Sequence, residues 1–551
     1  MADPWISSSE PEQPDGGIPA IEMQNVTYAY ESGARPIIDG VSLTINAGEW
    51  VTVTGPSGCG KSTLAGLLSG YLPRAGGGIR TGESTVSGLD PATAEIADMA
   101  GLIGIVFQDP DAQLVQGRVE DEVAFGPENL CYPPEVIEGR VTAALQDVDL
   151  QGRRRDSVNK LSGGGRQRTA IASVLALEPP ILVLDEAAAS LDAAARRRLL
   201  ALLRQLHQRG QTLVTVKGRL DELALAAQRL VVLDAGRVAA DGPAAQLLRE
   251  RRPLLGSLGL LPASPGDATG RPPAAPASGE APQGAAEAIQ PGRSDTAVQG
   301  AAVSMAGLKP ASAPLLEIAG LSFAYGSKSR RQRSGRPVQA VEPTAVLQNI
   351  HMLIHEGEWH ILRGENGSGK TTLSRLILGL LQSPPECIYW RGRDVSRLSL
   401  YELAADIGYV FQHPERQFVS STVMDELLYG PRSALRLRSG QNTPEPVLRQ
   451  ARDMLRLVGL EGREQMSPYL LSGGEKRLLS VAACFMSGKK LILLDEPTAG
   501  TDYAGAKVLS ELCRKAVADG AALMMITHEP EFFSGESARI WTLDSGRLRE
   551  E

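Results

Sequence analysis

The chain has 551 residues, 42% of them apolar and 22% charged, with a formal net charge of −8. That length exceeds a single ordinary core and implies two or more domains. The acidic balance argues against wholesale binding to nucleic acid or to an anionic membrane surface, and an aromatic content of 4% leaves few platforms for stacking bases.

Residues 1–18 are polar and Pro/Gly-rich and are expected to form a disordered tail with no secretory signal in it. No stretch reaches the roughly 18–20 consecutive apolar residues of a membrane helix. The five cysteines form no Cys-x-x-Cys pair, so free thiols in a reducing cytosol are expected rather than a zinc site or a disulfide framework. The run EWVTVTG, 49–55, reads as a short strand ending in glycine. It leads into GPSGCGKST, a G-x-x-x-x-G-K-[ST] loop opening a helix. Backbone N–H groups from Gly55, Ser57, Gly58 and Gly60 would close on phosphate oxygens. Lys61 would reach the β/γ-phosphates, Ser62 would ligate Mg²⁺, and Thr63 follows in the cradle.

Gln108, in VFQDP, can touch metal and water at once; a polar residue capping a turn is the plainer reading. LSGGG, 161–165, places Ser162 and Gly164 at an anion-binding helix start. ILVLDE is a near-continuous apolar run, as in a parallel strand buried on both faces. Asp185 at its end would hold Mg²⁺, and Glu186 would polarise the attacking water. Residues 193–210 have helical apolar spacing with a glycine stop, and VTVKGRL, 214–220, follows.

The chain then repeats itself. Lys61 recurs as Lys370, 309 residues on; Ser162 and Asp185 recur as Ser472 and Asp495, each 310 residues on. Two long copies indicate a duplicated domain, not a solenoid. The second copy supplies the strand EWHILRG, 358–364, and the loop residues Gly364, Asn366, Gly367, Gly369, Lys370, Thr371 and Thr372. It also supplies Gln412, the LSGGE residues Ser472 and Gly474, the LILLDE residues Asp495 and Glu496, and the run MMITHEP with His528. Here Thr371, Gln412 and Asp495 are the Mg²⁺ candidates, as Ser62, Gln108 and Asp185 are in the first copy. The expected organisation is a first domain over 19–252, a Pro/Ala/Gly-rich flexible linker over 253–313 and a second domain over 314–551. A basic insert, 327–336, occurs in the second copy only and reads as a solvated hairpin tip or a contact with lipid or a partner. Strands alternating with helices predict α/β domains with a largely parallel sheet.

Taken together, the phosphate loop, the glutamine, LSGG, the Asp-Glu strand and the histidine after it resemble a pair of fused ATP-binding cassettes of ABC transporters. The resemblance covers nearly everything outside the tail and linker. It implies two tandem P-loop NTPase domains, each with a mainly parallel core sheet, an antiparallel β part and a helical subdomain carrying LSGG. It implies adenine stacking on Tyr30 and Tyr325, for which ordinary packing is the alternative. It also implies head-to-tail pairing of the cassettes within the chain. One site would combine Lys61, Ser62, Gln108, Asp185 and Glu186 with Ser472 and Gly474. The other would combine Lys370, Thr371, Gln412, Asp495, Glu496 and His528 with Ser162 and Gly164.

The continuations PDAQ and PERQ, with second glutamines Gln113 and Gln417, resemble the ATPases of energy-coupling factor (ECF) importers of vitamins and metals, and the fusion is similar to the thiamine-precursor (HMP) branch. That implies a transmembrane coupling subunit, a substrate-binding membrane subunit and a peripheral place at the cytoplasmic face of the membrane, with ATP and Mg²⁺ as cofactors. Glu120, Asp121, Glu122, Asp425 and Glu426 are candidates to receive partner arginines, or form acidic helix starts favoured by the helix dipole. Fused sugar-importer ATPases and soluble ribosome-acting double cassettes are the alternatives, with DNA-repair cassette ATPases a third that would be expected to carry zinc-binding cysteines absent from this sequence. The first would not be expected to carry PDAQ/PERQ; the second are joined by a charged helical arm, unlike this linker.

The first copy has Gly218 where the second has His528 and reads LSGGG where the second reads LSGGE. The expectation is two unequal sites, with most hydrolysis at the His528 site. The alternative is that Gly218 is merely tolerated and both sites fire.

Overall fold

The computed structural model describes residues 19–31, 33, 35–189, 191–261, 313–325, 345–437, 441–533 and 537–551. The expected tail, nearly all of the linker and the basic insert 327–336 lie outside the described residues.

Each copy is built alike. In the first, β1 (Pro19–Ala29) lies between β2 (Ile38–Asn46) and β4 (Ile79–Val86) in an antiparallel sheet. β3 (Trp50–Thr54) belongs to a second sheet, with β5 (Ile103–Val106), β6 (Ile181–Asp185), β7 (Thr212–Lys217), β8 (Arg229–Asp234) and β9 (Arg237–Pro243). The order is β5-β6-β7-β3-β8-β9, parallel except for β9. In the second copy the antiparallel sheet has the order β11-β10-β13-β14, from β10 (Leu316–Phe323), β11 (Leu347–Ile354), β13 (Ile388–Trp390) and β14 (Arg393–Asp394). Its core sheet runs β15-β16-β17-β12-β18-β19, from β12 (Trp359–Arg363), β15 (Ile407–Val410), β16 (Leu491–Asp495), β17 (Ala522–Ile526), β18 (Ala538–Asp544) and β19 (Arg547–Glu550).

The apolar runs β6 and β16 are buried along their whole length because helices cover both faces of the sheet. Each fully buried Leu, Ile or Val there contributes roughly 1.5–3 kcal/mol of transfer free energy. The register then fixes the chemistry. Asp185 pairs with Val216 and Asp495 with Ile526, so each Asp-Glu end lies beside the turn that carries Gly218 or His528. The amide of Glu186 donates to Val216 O at 3.1 Å and that of Glu496 to Ile526 O at 2.9 Å.

Among the described residues, no apolar core crosses between the copies. The copies meet through polar loops instead. The first copy also extends past the expected boundary at 252. Helix Arg252–Ser257 continues it, and Leu255 and Leu260 are buried with Leu220 in a small apolar cluster. These leucines belong to the run PLLGSLGLL, 253–261, which precedes the Pro/Ala/Gly-rich stretch. The amide of Leu220 donates to Leu260 O, and that of Tyr503, from the second copy, to Gly259 O.

Candidate functional site

The phosphate loops are held by close packing. At Gly60 φ is 105°, and a Cβ there would lie 2.9 Å from Ile37 O. Glycine at this point lets the loop turn directly into helix Lys61–Leu68. Lys61 Nζ donates to the carbonyls of Gly55 and Pro56, and Lys370 Nζ to those of Gly364 and Glu365. Ser62 and Thr371 are exposed at the equivalent first-turn position. Thr63 and Thr372 instead turn toward aromatic hydroxyls: Tyr30 Oη lies 3.1 Å from Thr63 Oγ1, and Tyr325 Oη 3.0 Å from Thr372 Oγ1. Both tyrosines are about half exposed, at 50% and 48%, while the neighbouring Tyr28 is fully buried. Tyr30 and Tyr325 are therefore not core residues.

The LSGG segments lie against the other copy's loop. Ser57 Oγ is 3.1 Å from Ser472 Oγ, and a Cβ at Gly474 would sit 2.5 Å from Ser57 Oγ. Gln108 faces Gly473, and Gln412 faces Gly163, across the same boundary. Two aspartates that carried no assigned role complete the arrangement. Asp502 caps its own helix with one oxygen, accepting from Gly505 N at 2.7 Å, and accepts from Ser57 N of the first copy with the other, at 2.9 Å. Asp192 likewise accepts from Ala195 N at 2.8 Å and from Asn366 N at 3.3 Å. The signal in the sequence was a helix N-cap aspartate in SLD and GTD; nothing local shows its second bond. Ser162 and Gly164 belong to the boundary that Gly163 and Asp192 mark, facing the second copy's loop. The chain thus brings each group of expected residues together head to tail. It also separates the first copy's two departures: Gly218 borders the site with Lys61, whereas Gly165 stands in the LSGG segment facing Lys370.

Glu186 and Glu496 occupy the left-handed region, with φ of 49° and 50°. Such strain costs on the order of 1–3 kcal/mol per residue and marks both positions as held by their surroundings. Glu496 Oε1 is 3.3 Å from His528 Nε2, and His528 N donates to Oε2 at 3.4 Å. Burial, then the nearby Asp495, pushes the Glu496 carboxyl up to about 8. Burial, then the charges of Lys370 and Arg196, pushes His528 down to about 4, so its imidazole is neutral. In the first copy the amide of Gly218 donates to Glu186 Oε1. Lys217 Nζ stands 3.8 Å from Glu186 Oε2 and 2.8 Å from Asp221 Oδ2.

A magnesium ion fits these residues. Asp185 Oδ1 is buried without a hydrogen-bond partner, and burial pushes the Asp185 carboxyl up to about 7 despite the Ser62 hydroxyl beside it. A cation would offset both, and hydroxyl, carboxylate and amide oxygens suit Mg²⁺. In the second copy Tyr409 Oη donates to Asp495 Oδ2 at 2.8 Å.

One expectation is corrected. Glu122 and Glu426 are not available to partner arginines, because both are buried and spent internally. Glu122 Oε2 accepts from Val115 N and Gln116 N; Glu426 Oε2 accepts from Val419 N and Ser420 N. Gln113 and Gln417 also turn inward and brace their loops, accepting from Phe107 N and Phe411 N.

Two nucleotide cradles, each finished by the other half of the chain, define a double-cassette ATPase. The ABC transporter family model matches residues 38–189 and 347–499, and the chain belongs to that family as an ABC transporter ATP-binding protein, with the ATPase activity its domains imply. It is 33% identical over 539 residues to an ABC transporter ATP-binding protein of Caldanaerobacter subterraneus subsp. tengcongensis, covering 96% of this chain and 90% of that one. It is 32% identical over 534 residues, with the same coverages, to YkoD of Bacillus subtilis, which is named as an HMP/thiamine import ATP-binding protein. A solved cbiO1 from Clostridium perfringens, part of the cbiONQ ABC transporter complex, aligns over 44% of this chain and 96% of its own at 30% identity and a TM-score of 0.38.

Proposed function

We propose that the chain is the ATP-hydrolysing subunit of an ECF-type importer, driving uptake of a vitamin, vitamin precursor or transition-metal ion through a transmembrane coupling subunit and a substrate-binding membrane subunit. It works at the cytoplasmic face of the membrane. No helix among the described residues is long and apolar enough to cross a membrane; in this reading the membrane subunits supply the path through the bilayer.

The observation that carries this reading is an apolar surface built identically in both copies beside the glutamine loops. Buried Glu122 clips the Val115 turn onto the helix that carries Phe125; buried Glu426 does the same for Val419 and Tyr429. These four side chains are 41–65% exposed. Matched large apolar side chains left in solvent next to a nucleotide-sensing loop fit a docking surface for helices of a membrane partner. The printed name of the Bacillus subtilis relative points to the thiamine-precursor branch.

In each site the lysine and loop amides bind the phosphates, the tyrosine packs on adenine, and the other copy's serine and glycine close over the nucleotide. Ser62, Gln108 and Asp185, or Thr371, Gln412 and Asp495, would hold Mg²⁺, which supplies charge neutralisation on the phosphates. Glu496 orients and polarises the attacking water. His528, neutral beside Glu496, steadies the γ-phosphate. The Gly218 site binds ATP and turns it over slowly. Binding closes the cassettes and hydrolysis opens them, because nucleotide binds the closed state more tightly.

Affinity purification of the full chain from its own cells tests the assignment. Small integral membrane proteins should co-purify in fixed ratio, and Val115→Glu with Val419→Glu should release them without loss of ATP binding. Ribosomes in the eluate instead would overturn the importer reading in favour of a translation factor.

A further inference from the structure

The two catalytic glutamates have different neighbours. In the second copy the positions after β17 are Thr527 and His528. Thr527 is buried and accepts a bond from Glu529 N through its hydroxyl at 3.0 Å. His528 is the group next to Glu496, and a neutral imidazole is free to leave it for a phosphate oxygen. In the first copy the same two positions are Lys217 and Gly218. Lys217 is the last residue of β7, with its side chain only 8% exposed. Its ammonium is fixed by Asp221 and directed at the Glu186 carboxylate.

We propose that Lys217 is a positioning residue that restrains Glu186 and so keeps the chemical step of the first site slow. This rests on the reading that the two sites are unequal, and it goes beyond the missing histidine by naming what took its place.

Three observations support it. Glu186 has both oxygens engaged, one by the Gly218 amide and one facing Lys217. An ammonium anchored at 2.8 Å by a second carboxylate cannot leave as an imidazole can. Burial disfavours a charged lysine, yet Asp221 and Glu186 outweigh it and hold the ammonium above its ordinary value, so the restraint stays charged. The groups lie along a cavity of about 150 Å³ between the copies, where Arg196 and Arg219 are themselves engaged with Glu529. Among the described residues, no other cation lining this cavity is placed to release Lys217 from Glu186. Gly218 has an ordinary φ, and a Cβ there would meet only Glu186 Oε1, at 3.1 Å. Neither the backbone nor crowding by the core requires glycine at this position.

The test uses the full chain carrying Glu496→Gln, so that cleavage reports the first site. Single-turnover hydrolysis of ATP with Mg²⁺ reads chemistry without requiring the cassettes to reopen. Adding Lys217→Thr, the second copy's residue, should raise the cleavage rate about fivefold or more while ATP affinity stays within about twofold. Lys217→Arg, which keeps the charge, should stay at the background rate. Lys217→Met repeats the test with a side chain that fills the same space, in case threonine leaves the site underpacked. A purely structural ion pair would give the opposite result, a loss on removal. A slow background that neither Lys217→Thr nor Lys217→Met accelerates overturns the role of Lys217 alone. A Glu496→Gln background already as fast as the first turnover of the unmodified chain overturns the unequal-site reading, and this proposal with it.

Discussion

The end of β7 and its turn read Lys-Gly-Arg and the turn after β17 reads Thr-His-Glu, on the same backbone frame and each beside a left-handed glutamate. The frame is set by parallel strand register, so it survives sequence change. The chemistry depends on which side chains hang from it. At the second turn a neutral histidine neighbours a carboxyl that burial keeps easily protonated. At the first an ammonium anchored by Asp221 stands 3.8 Å from the carboxylate. The two halves share one fold, and their departures from one another include this turn and LSGGG against LSGGE.

The comparison is sharpest for the glutamates. Glu496→Gln should lower steady-state ATP hydrolysis by about 10²-fold or more, whereas Glu186→Gln should cost less than about threefold. Equal losses would mean that the sites fire as one unit.

Next in size is closure. Gly474→Ala puts a methyl group 2.5 Å from Ser57 Oγ, with backbone behind it. It should weaken ATP-driven closing at the Lys61 site by about tenfold, read as distance change between labels on the two copies. An unchanged distance would show that this boundary is looser than its contacts imply.

The third concerns the turns themselves. Arg219 and Glu529 stand at equivalent positions, 310 residues apart, and meet at 3.1 Å. Arg219 also donates to Thr498 O at 2.7 Å and stacks over Phe532, 4.7 Å from its ring centre. Arg219→Glu should weaken ATP affinity about fivefold through like-charge repulsion, and Glu529→Arg added to it should recover most of the loss. No recovery would assign the effect to the lost stacking.

The smallest is a pH effect limited to the second copy. Burial, which outweighs the nearby Glu358, holds His360 below its ordinary value of 6.5, and Trp541 Nε1 donates to its Nδ1 at 2.9 Å. The unfolded chain therefore takes a proton that the folded chain refuses, and stability falls as pH drops below about 6.5, by less than about 1.4 kcal/mol per pH unit. Val51 is the first-copy counterpart and should show no such term. His360→Val should flatten the acid side of a denaturant-midpoint profile; an unchanged slope would mean that other groups set it.

Much of this was readable in the sequence because duplication prints each motif twice. The two phosphate loops, both Asp-Glu strands and the LSGG segments fall where spacing placed them. What stayed hidden was what needs the other half of the chain to be seen. Asp192 and Asp502 look like ordinary helix caps until a second backbone amide arrives from the facing loop. Glu122 and Glu426 look like solvated charge at a helix start, and only the fold turns them inward onto loop amides. Lys217 sits in a strand pattern that gives no hint of an anchored ammonium, because its partner Asp221 lies past the turn. Leu255 and Leu260 lie in the leucine-rich run PLLGSLGLL, whose short apolar spacing sits directly before the Pro/Ala/Gly-rich stretch and shows its packing only in the fold.

Both glutamates at the ends of β6 and β16 are strained, and a glycine would sit there more comfortably than any side chain. A search of variants for heat resistance alone would therefore drift toward glycine at 186 and 496, and would return a sturdier molecule that no longer splits ATP. The sites persist only where work, rather than durability, is what is being selected.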